Sequence, residues 1–148
     1  MRNTETLDEF EYRKLEELRF QIRRFLNFSE SAARSAGIEP QQHQALLVLK
    51  AVPDDCLPTI GYLAERLFVK HHSAVGLVDR LQAMGLLTRR TSAEDARQVF
   101  IQLTKKGIRV LHGLSVTHQT ELREMSSKLT RTLRALNLPS KKKRSSSF

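Results

Sequence analysis

The apolar residues of this chain change their period twice, and that change most limits what the chain can fold into. Up to Met84 they recur every three or four residues, as on the face of a helix. Across residues 87–103 they alternate, and from Ile108 onward they return to helical spacing. A short alternating stretch between long helical ones predicts a mainly α chain with one small β-hairpin, an α+β arrangement.

The first helix is expected over about 7–36, with Leu15, Leu18, Ile22 and Phe25 on one stripe and Arg19, Arg23 and Arg24 off it. Gly37 and Pro40 end it and open a second helix over about 41–51, which carries Ala45, Leu46, Val48 and Leu49. Val52-Pro53-Asp54-Asp55-Cys56-Leu57-Pro58 is a break rich in turn residues. Thr59 suits the N-cap of a third helix over 60–67, with Ile60, Leu63, Ala64 and Leu67 at helical spacing. A turn through Phe68-Val69-Lys70 leads to a fourth helix over 71–84, which Gly85 stops. Strands are expected over 87–90 and 98–103, joined by a polar connector. Thr104 then caps a long last helix reaching about 136, with Ile108, Leu111, Ser115, His118, Leu122, Met125, Leu129 and Leu136 in a near-heptad stripe. Pro139 ends it, and the Lys/Ser segment 139–148 reads as a disordered basic tail.

Charge narrows the partners. The formal net charge is +9 and the pI is near 10.2, a balance that favours polyanions, DNA first among them. Part of that excess sits in Lys141-Lys142-Lys143-Arg144, so placement decides more than the total. The sequence contains no apolar run long enough for a membrane span and opens without a signal-peptide core, so a cytoplasmic protein is expected. Cys56 is the only cysteine, which excludes an intrachain disulfide and a zinc-finger cage; beside Asp54 and Asp55 it reads as a small loop residue.

Catalysis would have to use the five histidines, His43, His71, His72, His112 and His118. His71 and His72 diverge on a helix instead of forming a chelating pair, and His112 and His118 point to different faces. The sequence holds no HExxH, no Gly-rich phosphate loop and no nucleophile elbow. The chain is therefore read as no enzyme, with no cofactor and no metal.

Two short helices joined by a tight turn and followed by a hairpin form the layout of a winged helix-turn-helix. On the fourth helix Ala74, Leu77, Val78, Leu81 and Met84 cluster on one side, while His72, Ser73, Val75, Gly76, Asp79 and Arg80 project opposite. Compact polar groups near a helix start suit reading of base edges, and the helix start itself favours phosphate. Arg89, Arg90 and Arg97 on a projecting wing suit the minor groove, with Asp95 as a carboxylate steadying a neighbouring guanidinium. The candidate double-stranded DNA contacts are Thr59, Lys70, His71, His72, Ser73, Val75, Gly76, Arg80, Arg89, Arg90 and Arg97.

Leu63-Ala64-Glu65-Arg66-Leu67, the run from His71 to Leu81, Gly85-Leu86-Leu87, Asp95-Ala96-Arg97 and Leu103-Thr104-Lys105-Lys106-Gly107 together resemble the MarR family of bacterial multiple-antibiotic-resistance-type regulators. The wing element, Asp-x-Arg before Leu-Thr-x-x-Gly, is the most specific part. The resemblance implies one domain over 1–138, with dimerisation helices at about 7–36 and 104–137 and a DNA lobe at about 40–103. It implies a homodimer on a near-palindromic operator, with repression relieved by a small-molecule effector in a crevice between the dimerisation helices and the lobe. Leu7, Phe10, Leu15, Leu18, Leu122, Met125, Leu129, Leu133 and Leu136 would form the dimer contact. Three features depart from the pattern: Gly76 in the reading helix, Lys70 at a capping position, and the basic tail. A protein-interaction module of the same fold, antirepressor-like and without DNA binding, is the alternative, and the arginine-bearing wing argues against it.

Overall fold

The structure, a computed structural model, describes residues 7–137. The order is α1 Glu9–Ser35, α2 Pro40–Lys50, α3 Ile60–Leu67, α4 His71–Ala83, β1 Leu87–Thr91, β2 Val99–Leu103 and α5 Lys105–Asn137. Every expected element is present, with ends shifted by a residue or two. Pro139 and the basic tail lie outside the described residues. Among the described residues no helix is long and apolar enough to cross a membrane.

The boundaries have local causes. Asp8 and Glu11 cap the start of α1 reciprocally, each carboxylate accepting from the other's backbone N–H at 2.8–2.9 Å. At its end Gly37 takes φ +81°, and Ile38 N–H returns to the Ala33 carbonyl at 3.1 Å, burying Ile38. Glu39 precedes Pro40 at the start of α2, and its N–H is held by Gln42 Oε1 at 2.9 Å, which explains why Gln42 is buried although polar. β1 and β2 pair antiparallel in the register Leu87↔Leu103, Arg89↔Ile101 and Thr91↔Val99. The loop before α3 joins them, because Ile101 N–H donates to the Pro58 carbonyl at 2.8 Å.

The chain divides into two compact units. The larger, Ser29–His118, is built on a core of Leu46, Leu63, Leu77, Val78, Leu81, Leu86, Leu87 and Ile101, with Ala33, Leu111 and Leu114 completing it. This unit is wider than the 40–103 expected for the lobe, since the last turn of α1 and the first turns of α5 supply part of its core. In the smaller unit the described residues are 7–28 and 119–137, and their buried groups include Gln21, Met125 and Thr132. Gln21 Nε2 donates to Glu17 Oε1, and Arg24 reaches Glu121 at 3.9 Å.

On the two long helices the expected stripe is buried only in part. Leu15 and Ile22 on α1 and Ile108 on α5 face outward, whereas Gly107, Leu111, Leu114, His118 and Met125 lie inward on α5. Of the residues assigned to dimer contact, Leu7, Phe10, Leu15, Leu122 and Leu133 are exposed, and Leu18, Leu129 and Leu136 are half-buried. Met125 is 2% exposed, so its side chain is already used within its own chain.

Candidate nucleic-acid interface

The candidate reading helix is α4. Ala74, Leu77, Val78 and Leu81 are buried against the lobe, which turns His71, His72, Ser73, Asp79 and Arg80 outward. No side chain caps its start: Lys70 occupies the N-cap position, and its carbonyl accepts from Ser73 and Ala74 while its ammonium is left to solvent. The first N–H groups of α4 therefore point outward beside Lys70, an arrangement suited to an anion. Among the described residues nothing demands glycine at position 76. A Cβ there would meet only Arg80 Nη1, at 3.5 Å, an ordinary contact.

Thr59, assigned to DNA contact, spends its hydroxyl on the fold. Its Oγ1 accepts from Tyr62 N–H at 3.1 Å and caps α3.

The wing arginines divide into three kinds. The Arg89 guanidinium bonds Asp79 at 2.6 Å and also Gln82, both on α4, so it fastens the hairpin to α4. Its guanidinium is thus already engaged within the chain. Arg90 is exposed and spends only Nε on Gln102 Oε1, at 2.7 Å across the strand pair. Arg97 is exposed in the connector, beyond any ion pair among the described residues. Asp95 steadies the wing differently from expectation: its carboxylate accepts from the Arg97 backbone N–H at 2.9 Å, and the guanidinium pairing falls to Asp79. Asp79, Gln82 and Gln102 are the site residues the sequence left without a role.

The Leu-Thr-x-x-Gly element anchors the wing at its other end. Thr104 Oγ1 accepts from Gly107 N–H at 3.1 Å and donates to the Gly85 carbonyl at 2.6 Å. Thr104 N–H reaches the Leu86 carbonyl at 3.0 Å, and Lys106 Nζ the Met84 carbonyl at 2.9 Å. Gly107 lies so close to Leu86 that a Cβ would fall 2.1 Å from its carbonyl oxygen. The end of α4, the start of β1 and the start of α5 are thus tied at one point.

Within the same unit His43 and His118 are buried side by side, ring centroids 4.7 Å apart. His118 Nδ1 lies 2.6 Å from the Leu114 carbonyl and Nε2 lies 2.7 Å from Ser29 Oγ. Among the described residues no three His, Cys, Asp or Glu side chains gather as a metal site. Burial lowers the His43 pKa below its usual 6.5, and the neighbouring His118 lowers it further. A lowered histidine binds its proton more readily in the unfolded chain, so its stabilising effect is complete above about pH 6.5 and fades as pH falls toward the lowered value. The melting-temperature advantage of wild type over His43→Gln should therefore shrink between pH 7.5 and 5.5. A constant gap would sink this assignment.

Against known proteins, a family model described as MarR family matches residues 36–98. The HTH-type transcriptional regulator MhqR of Bacillus subtilis is 33% identical over 94 residues, covering 64% of this chain and 63% of its own. The match therefore spans just under two thirds of that relative's length. A MarR family protein from Bacillus stearothermophilus is 25% identical with a TM-score of 0.68, covering 88% of this chain and 96% of its own. A mutant of S. aureus MepR solved bound to an oligodeoxyribonucleotide is 24% identical with a TM-score of 0.62, covering 80% of this chain and 94% of its own. With the Asp-x-Arg wing, the Thr104–Gly107 anchor and the two short helices before the hairpin all in place, the chain has the fold of these MarR-family proteins and is similar to them in sequence over residues 36–98.

Proposed function

We propose that this protein is a transcriptional regulator that binds double-stranded DNA as a homodimer and acts as a ligand-responsive repressor. The observation that carries the reading is the outward, uncapped start of α4 beside Lys70, set next to a hairpin whose Arg90 and Arg97 are exposed. The start of α4 presents His72 and Ser73 to base edges, and Lys70, Arg80, Arg90 and Arg97 meet phosphate or the minor groove. Arg89 and Asp95 act by positioning. That a MepR mutant of the same fold is bound to an oligodeoxyribonucleotide supports this use of the fold.

Leu7, Phe10, Leu15, Leu122 and Leu133 supply apolar surface that a second copy would cover. The single domain over 1–138, divided into dimerisation helices and DNA lobe, belongs to the same proposal. So does the effector, a small molecule that loosens DNA binding.

Selection of duplexes from a random library tests the reading. The wild type should enrich an inverted repeat with half-sites about one helical turn apart. Arg97→Ala should weaken binding broadly across sequences, whereas changes at His72 or Ser73 should alter which sequence is enriched. No enrichment by the wild type would overturn DNA recognition, and a lone half-site would overturn the dimer.

A further inference from the structure

Phe68 stands out in the turn between α3 and α4. Its backbone is left-handed, φ +53° and ψ +40°, and among the described residues no other non-glycine has positive φ. The conformation is imposed by the turn. Phe68 N–H returns to Ala64 and Glu65, and Val69 N–H to the Ala64 carbonyl at 3.0 Å, which closes α3 and aims the chain into α4. A residue with a Cβ is disfavoured there and glycine is the default. The ring recovers nothing from the fold, for Phe68 is 97% exposed. A residue that neither its backbone nor its packing favours is best explained by something outside the chain.

The surroundings say what that is. The exposed residues nearest in the chain are Glu65, Arg66, Lys70, His71 and His72, mostly basic, and Lys70 begins the uncapped start of α4. Resting on the DNA-binding reading above, we propose that Phe68 is an apolar DNA contact beside the reading helix. The ring would lie on C–H surface of the groove wall, either deoxyribose or the methyl of a thymine. It would add affinity without neutralising a phosphate.

The test uses the full chain and a duplex that the wild type selects. Phe68→Gly removes the ring and suits the left-handed turn. Its melting temperature should stay level or rise by up to about 4 °C, while DNA affinity falls roughly tenfold. The slope of affinity against salt should not change, because no cation is removed. Phe68→Leu should keep most of the affinity, and Phe68→Asn, polar but at ease in the turn, should lose as much as glycine does. Replacing thymine by deoxyuridine near the α4 start separates the two sources. A loss in wild type that is absent in Phe68→Gly assigns the methyl, and equal behaviour assigns the sugar.

Undiminished DNA binding by Phe68→Gly overturns the proposal and turns attention to a protein partner. A lower melting temperature also overturns it, since the ring would then be packing on the lobe. A changed salt slope does the same, because the effect would run through the charges. Failure of the wild type to select any duplex is the separate failure of the DNA-binding reading.

Discussion

Raising the salt from 50 to 200 mM should cut the affinity of the wild-type protein for its selected duplex by about four decades. Among the described residues Lys70, Arg80, Arg90 and Arg97 are in no ion pair, whereas Arg89 is held by Asp79 at 2.6 Å. On the proposed dimer, four such cations in each of two lobes would give about eight phosphate contacts, each lowering the log–log slope by about 0.9. The expected slope is near −7. Removing one cation per lobe by Arg97→Ala should make it shallower by about two. Arg89→Ala should leave the slope nearly unchanged, and its loss of affinity should come from a hairpin no longer fastened to α4. Equal slope changes for Arg89 and Arg97 would contradict that division. Lys141, Lys142, Lys143 and Arg144 also carry charge, so the measurement is repeated on a chain ending at residue 138.

That division of the arginines marks where sequence reading reaches its limit. The period change, Gly85, Thr104 and the Asp-x-Arg element placed the hairpin correctly, because each acts through neighbours within a few residues. Arg89 looked equivalent to Arg97 because both are cations on a wing. Their difference depends on Asp79 and Gln82, ten and seven residues away on another element, which no local pattern brings to Arg89. The buried pair of His43 and His118 was hidden for the same reason, its hydrogen bond to Ser29 spanning 89 residues. On α1, Leu15, Leu18, Ile22 and Phe25 have one helical spacing, yet Leu15 and Ile22 are exposed in the single chain. Hydrophobic period shows that a face needs covering and does not say whether the same chain covers it. Phe68 was legible as a turn residue. Its left-handed backbone and bare ring were not, since nothing in its type announces either.

Gly107→Ala should be the most damaging single-methyl change in the lobe. The added Cβ would sit 2.1 Å from the Leu86 carbonyl oxygen, a backbone atom with no rotamer by which to escape. Relief requires α5 to withdraw from β1. That movement stretches Thr104 N–H to Leu86, Thr104 Oγ1 to Gly85 and Lys106 Nζ to Met84 together, because all three bonds gather there. Overpacking costs about 1–3 kcal/mol, and three hydrogen bonds worth about 0.5–1.5 kcal/mol each, stretched but not broken, lose about 1–2 kcal/mol together, so a total of roughly 2–5 kcal/mol is expected. The melting temperature should fall by about 10–20 °C. Gly113→Ala is the matched control: it lies on the same helix, is exposed, and has nothing among the described residues within 4 Å of the new methyl. It should be neutral or stabilising by about 0.5–1 kcal/mol, the ordinary helix preference for alanine. If the two variants melted alike, the close approach to Leu86 would cost nothing to relax. If Gly107→Ala alone is destabilised, the surviving folded protein should, on the proposed DNA-binding role, also bind its duplex more weakly, since Leu86 links the end of α4 to β1.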